Sequence, residues 1–111
     1  MIAPGLALVV EDDEIQREML GEFLRTEGME VISCESAETA ELIIGQTGTE
    51  LRLVVTDFHL AGVGTGIDVV AFARDQFPHL RVILVSGDYL VVPDDVLFLR
   101  KPFDLREVLA A

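Results

Sequence analysis

One cysteine, Cys34, stands alone in 111 residues, which excludes an internal disulfide. It sits in the apolar run Val31-Ile32-Ser33-Cys34, a setting that favours a packed thiol in a reducing compartment over a catalytic one. Positive charge is scarce too. Against 20 acids there are 8 bases, a formal charge of −12, and phosphate backbones are bound by dense lysine and arginine, so a direct nucleic-acid surface is not expected. No apolar run approaches the roughly 18 residues needed to span a bilayer, and no basic region of the kind that opens a secretory signal begins the chain. A cytoplasmic location without membrane insertion is the expectation. Linkers, internal repeats and low-complexity tracts are also missing. With 50% hydrophobic residues the chain should bury one core, and residues 1–111 read as a single domain. The abrupt C-terminus leaves open a fragment of a longer protein.

What is present is an alternation of strand-like and helix-like segments. Leu6–Val10 is continuously apolar, as a strand buried on both faces must be, and Glu14–Glu27 then carries Ile15, Met19, Leu20, Phe23 and Leu24 at helical spacing. Gly28 is a stop signal before a second strand, Glu30–Cys34, and Ser36 is placed to cap a helix whose apolar side includes Ala37, Ala40, Ile43 and Ile44. A turn over Gly45–Glu50 leads to a third strand, Leu51–Thr56, and a glycine-rich loop precedes a helix from about Ile67 to Phe77 that Pro78 closes. Val82–Val85 and Val96–Leu99 read as the fourth and fifth strands, and Asp104 can cap a last helix, Leu105–Ala111. This order implies a doubly wound α/β domain, a five-stranded parallel sheet with right-handed crossovers and helices on both faces.

Strand ends then bring chemistry together. Glu11-Asp12, Asp57 and Lys101-Pro102 each follow an apolar run, and in a parallel sheet their carboxyl ends meet at one edge, where open α/β folds place ligands. Crowded carboxylates repel and partly protonate unless a cation sits among them, and hard oxygen ligands suit Mg²⁺ better than a soft metal. Asp13 fits the start of the first helix better than a metal role, because a carboxylate there faces the helix's positive end. Gly62, Gly64 and Gly66 match neither the dinucleotide nor the P-loop spacing and read as turn residues.

Over nearly the whole chain these residues resemble the receiver domains of bacterial two-component response regulators. The resemblance is carried by Leu6-Ala7-Leu8-Val9-Val10-Glu11-Asp12-Asp13, Leu53-Val54-Val55-Thr56-Asp57, Val85-Ser86-Gly87 and Phe98-Leu99-Arg100-Lys101-Pro102-Phe103, in that order. It implies a flavodoxin-like sheet of order 2-1-3-4-5 and a phosphoacceptor module that is not an enzyme in the turnover sense. Asp57 would be the acceptor, taking a phosphoryl group from a histidine kinase or histidine phosphotransfer protein. Asp12 would bind Mg²⁺ (or Mn²⁺) directly, Glu11 would act through a bound water, and the backbone carbonyl of His59 would complete the protein's share of the shell. Ser86 and Lys101 would hold phosphoryl oxygens, the peptide bond before Pro102 would be cis, and Phe98 would be the switch aromatic, although strand alternation also makes it a core residue.

The chain departs from the family at two places. Ala61 stands where the family has a proline, which leaves the loop through Gly66 more flexible. From Ser86 to Lys101 there are 101 − 86 = 15 positions, with Pro93 among them, too few for the usual helix between the fourth and fifth strands. Leu90–Asp95 is therefore expected as a loop or single turn, and the family's usual dimer is not transferred. His59 reads as a solvated rim residue before a general base, and His79 as surface. A receiver-like binding module that works without phosphorylation, and an Mg²⁺-dependent phosphatase using Asp57, remain as alternatives. The phosphatase lacks a second acid near the nucleophile.

Overall fold

The structure, a computed structural model, describes residues 5–111. Its elements are β1 (Leu6–Val10), α1 (Glu14–Thr26), β2 (Glu30–Cys34), α2 (Ala37–Thr47), β3 (Leu51–Asp57), α3 (Gly66–Gln76), β4 (Arg81–Ser86), β5 (Leu97–Arg100) and α4 (Arg106–Ala110). The five strands form one parallel sheet in the order β2-β1-β3-β4-β5. This is the flavodoxin-like order expected.

Central strands are apolar on both sides because both sides are covered. Leu8, Val54 and Leu84 face a core closed by Ala37, Ala40 and Ile44 of α2 and Val69, Val70 and Ala73 of α3. Ala7, Val9, Leu53, Val55, Ile83 and Val85 face the other, closed by Leu20 and Leu24 of α1 and Val108 of α4. Each fully buried Leu or Val contributes about 1.5–3 kcal/mol, which explains why the three inner strands were the plainest to read. Caps fix the helix starts beside the site. Asp13 accepts from the Gln16 amide at 2.9 Å, Ser36 from the Thr39 amide at 3.2 Å, and Thr65 forms a capping box with Asp68.

Several boundaries differ from those read in the sequence. Helix α2 runs through Gly45 to Thr47, whose hydroxyl donates to the Ile43 carbonyl at 2.7 Å, so the turn occupies only residues 48–50. Strand β5 begins at Leu97 because the Val96 amide is taken by the Pro93 carbonyl at 3.0 Å. The last helix is shorter than expected, and Asp104 caps it from one residue further out, accepting from the Arg106 amide at 2.9 Å. Between β4 and β5 there is no helix, and residues 87–96 cross as irregular chain and a turn. Among the described residues no helix is long and apolar enough to cross a membrane.

Candidate functional site

Register brings the strand ends level. Val10 pairs with Thr56, Asp57 with Val85 and Ser86 with Arg100, so Glu11, Asp12, Asp57, Ser86 and Lys101 all stand at the carboxyl edge of the sheet. One carboxylate oxygen from each of Glu11, Asp12 and Asp57 lies within 4.8 Å of the others. Glu11 and Asp57 are buried and Asp12 is exposed. The Lys101 ammonium lies over the group, 3.0 Å from Glu11 Oε1 and 3.3 Å from Asp57 Oδ1. It also donates to Gln16 Oε1 at 2.5 Å. The Lys101–Pro102 peptide is cis, as the resemblance implied.

Electrostatics follow from that packing. Burial pushes the Glu11 carboxyl above its ordinary value, and the Lys101 hydrogen bond offsets this only in part. Burial acts the other way on the Lys101 ammonium, yet the Glu11 hydrogen bond and the charges of Asp57 and Glu11 outweigh it and hold the lysine above its usual value. The site is thus a cluster of carboxylates with one permanent cation at its side. Three carboxylates that bring an oxygen each within 4.8 Å of the others are hard donors of the kind Mg²⁺ takes. The donor set fits Mg²⁺.

Neighbouring groups frame Asp57. Ser86 is fully buried, and its hydroxyl accepts from the Asp88 amide at 3.0 Å while its carbonyl accepts from the Lys101 amide at 2.8 Å. Gly66, the first residue of α3, packs directly on Asp57: a Cβ there would lie 2.2 Å from the Asp57 carbonyl oxygen and 2.8 Å from Leu84 Cδ1. Gly62 holds φ at +83° in the loop between, the left-handed region that glycine enters without strain. His59 is on the exposed rim as expected, with Nε2 2.5 Å from Asp88 Oδ2, a contact that raises the imidazole above its ordinary value. Its carbonyl accepts no hydrogen bond among the described residues. Phe98 lies half-buried against the α2–α3 side of the sheet, opposite Leu84 in register. Asp13 is a helix cap and stands apart from the acidic group.

Sequence reasoning missed three participants. Gln16 contacts the lysine because the Asp13 cap sets α1 so that its first turn faces the site, a clue that the cap position alone carried. Asp88 reaches His59 across 29 positions, for which periodicity offers no signal. Gly66 was read as a turn residue, but the reason only glycine fits is its contact with Asp57.

A cleft of about 370 Å³ opens beside the lysine, lined by Glu11, Gln16, Met19, Lys101 and Phe103 among others. Ile15 and Met19 on the adjoining face of α1 are 71% and 57% exposed.

A parallel sheet of this order with acids, a hydroxyl and a lysine at its carboxyl edge defines a class, and comparison with known proteins gives the same one. Residues 7–111 match the response regulator receiver domain family, and the chain belongs to it. Response regulator protein FleR of Pseudomonas aeruginosa is 32% identical over 110 residues, covering 92% of this chain and 22% of that protein. A response regulator receiver protein of Pseudomonas putida is similar in structure, with a TM-score of 0.81 and 30% identity over 99% of this chain and 96% of that one. A response regulator of Burkholderia pseudomallei, solved with a phosphorylated aspartic acid and a calcium ion, has a TM-score of 0.78 and 25% identity over 96% of this chain and 65% of that one. The chain spans between 22% and 42% of the length of the curated relatives it matches.

Proposed function

We propose that this chain is the phosphoacceptor module of a two-component phosphorelay, with residues 1–111 forming one receiver domain and Asp57 as the acceptor. The observation that carries this reading is the meeting of Glu11, Asp12 and Asp57 within 4.8 Å, with Lys101 3.3 Å from Asp57. An Asp57 carboxylate oxygen attacks the phosphorus of a phosphohistidine. The P–N bond breaks, its electron pair returns to the imidazole nitrogen, and an acyl phosphate is left on Asp57. Lys101 is already beside the acceptor and needs only to move from Glu11 to a phosphoryl oxygen. Ser86 offers its hydroxyl once it gives up the Asp88 amide. Asp12, Asp57, the His59 carbonyl and, through a water, Glu11 would hold Mg²⁺, which when bound would supply positive charge where the transferred oxygens gather. The phosphorylated aspartate and divalent ion of the Burkholderia relative support this assignment.

A protein donor fits the surroundings. Ile15 and Met19 give α1 an exposed apolar margin beside the cleft, suited to a histidine kinase or histidine phosphotransfer protein in the cytoplasm. Phosphorylation would pull Ser86 toward Asp57, and Phe98, packed opposite Leu84 on the neighbouring strand, would repack with it.

Incubation with acetyl phosphate and Mg²⁺ tests the reading. One phosphoryl group per chain, detected as intact mass, is the expected result. No gain would favour a binding module that works without phosphorylation, and steady phosphate release without accumulation would favour a phosphatase.

A further inference from the structure

We propose that Glu38, in the first turn of α2, is a positioning residue for the metal: its carboxylate holds the loop between β3 and α3, so that the His59 carbonyl is fixed before any ion arrives. The inference rests on the reading of Asp57 as acceptor with Mg²⁺ beside it, and it names a residue outside that site. Glu38 Oε2 accepts from the Gly64 amide at 3.0 Å, and the carboxylate pairs with no cation among the described residues. The loop is fitted to it. A Cβ at Gly62 would lie 2.6 Å from Glu38 Oε1, and one at Gly64 would lie 2.6 Å from Oε2 and 2.7 Å from Ala37 Cβ. Glu38 could swing clear of such an atom, but Ala37 could not. Gly64 does not hold a positive φ, so its close approach to α2 is what requires glycine there.

Anchors stand on both sides of His59. Phe58 donates to the Val85 carbonyl and accepts from the Gly66 amide, each at 2.9 Å, which ties it to β4 and to the start of α3. Ala61 donates to the Glu35 carbonyl at 3.1 Å and forms a bridge with Ser36, which ties it to the turn leading into α2. A proline at this position could not make that bond, having no amide proton. Ala61 supplies one, so the freedom gained by losing the ring is offset by a tether. Between these anchors the His59 carbonyl accepts no hydrogen bond among the described residues. The same turn reaches the other flank of the site: Arg17, 3.4 Å from Glu35 Oε1, donates to the Glu11 carbonyl at 3.0 Å. The backbones at Glu11 and Ala61 thus share one support, and Glu38 adds the one side-chain bond to residues 62–64 among the described residues. A loop ordered in advance spares binding the cost of ordering it, so the tether should be read in the affinity for the metal.

Calorimetric titration with MgCl₂, amide exchange of the metal-free chain and labelling by acetyl phosphate test this together. Glu38→Ala should weaken Mg²⁺ binding about 5-fold and speed exchange of the Gly64 amide by a similar factor, whereas Glu38→Gln, which keeps an accepting oxygen, should stay within about 2-fold of the parent in both. At saturating Mg²⁺ the labelling rate of Glu38→Ala should return to within about 2-fold of the parent's, because bound metal then orders the loop. Glu41→Gln removes a neighbouring charge that holds no loop amide, and should bind Mg²⁺ as the parent does. Parent-like affinity or unchanged Gly64 exchange in Glu38→Ala would overturn the inference alone. So would Glu38→Gln no better than Glu38→Ala, labelling that stays slow at saturating metal, or equal weakening by Glu41→Gln. A parent that takes up neither Mg²⁺ nor a phosphoryl group would overturn the proposed function, and this inference with it.

Discussion

Replacing Lys101 with methionine removes the one cation that the metal-free site contains while keeping most of the side chain's volume. Glu11 and Asp57 are then left as neighbouring buried carboxylates, 8% and 9% exposed in their side chains, with their shared partner gone. Removing one member of a buried ion pair costs about 3–5 kcal/mol; Lys101 is itself a quarter exposed, so about 3 kcal/mol is the expectation at neutral pH. For 111 residues the unfolding entropy is about 230 cal/mol/K, and the loss corresponds to a melting temperature lower by about 13 °C. The pH dependence has a definite sign. Burial already holds the Glu11 carboxyl above its ordinary value, and losing Lys101 removes a group that lowers it. The folded variant thus keeps a proton on Glu11 at pH values where the unfolded chain has released it. Its deficit is therefore largest above the raised value and shrinks as pH falls toward the unfolded one. Thermal melts of parent and variant in EDTA at pH 7.5 and 5.5 give the comparison, and saturating Mg²⁺ should recover much of the difference at pH 7.5. A drop under about 4 °C at pH 7.5, or one equally large at both pH values, would refute the claim that Lys101 neutralises the carboxylate pair.

Other perturbations probe separate parts of the account. Asp12→Ala removes an exposed acid from the cluster without breaking any ion pair, so the metal-free protein should melt about 2 °C higher while Mg²⁺ stabilises it less than the parent; a lower metal-free melt would mark Asp12 as structural. Gly66→Ala forces a Cβ into the Asp57 carbonyl, and should cost about 1–3 kcal/mol and slow labelling by acetyl phosphate on the order of 10-fold or more, read by denaturant melts and intact mass. Burial pushes the Cys34 thiol up to about 11, so alkylation at pH 8 should run about 100-fold slower in the folded chain than in urea, and folding stability should fall as pH rises from about 9 to about 11; fast alkylation of the folded chain would contradict the buried setting.

How much the sequence revealed depended on how far each feature was set by its own residues. Strands β1, β3 and β4 were legible because burial on both faces leaves an uninterrupted apolar run, and the level ends of those runs foretold which acids meet. The loop in place of a helix before β5 was legible from spacing and Pro93. Gly45, by contrast, stopped the sequence reading of α2, yet packing of Ala40 and Ile44 against the sheet carries the helix past it. The start of β5 turned on one hydrogen bond from Val96 to Pro93, below the resolution of any pattern. In the site, Gln16 and Asp88 were invisible because their roles depend on contacts across 85 and 29 positions. The acids and lysine, each tied to a strand end, were not.

The central claim is that Asp57, and no other carboxylate of the cluster, receives the phosphoryl group. Treating the chain with acetyl phosphate and Mg²⁺, reducing the acyl phosphate with borohydride and sequencing the peptides converts the acceptor aspartate into homoserine and so marks its position. The account predicts homoserine at residue 57 alone, and no conversion anywhere in Asp57→Asn. Homoserine at Asp12 or Asp13, or undiminished labelling of Asp57→Asn, would contradict it.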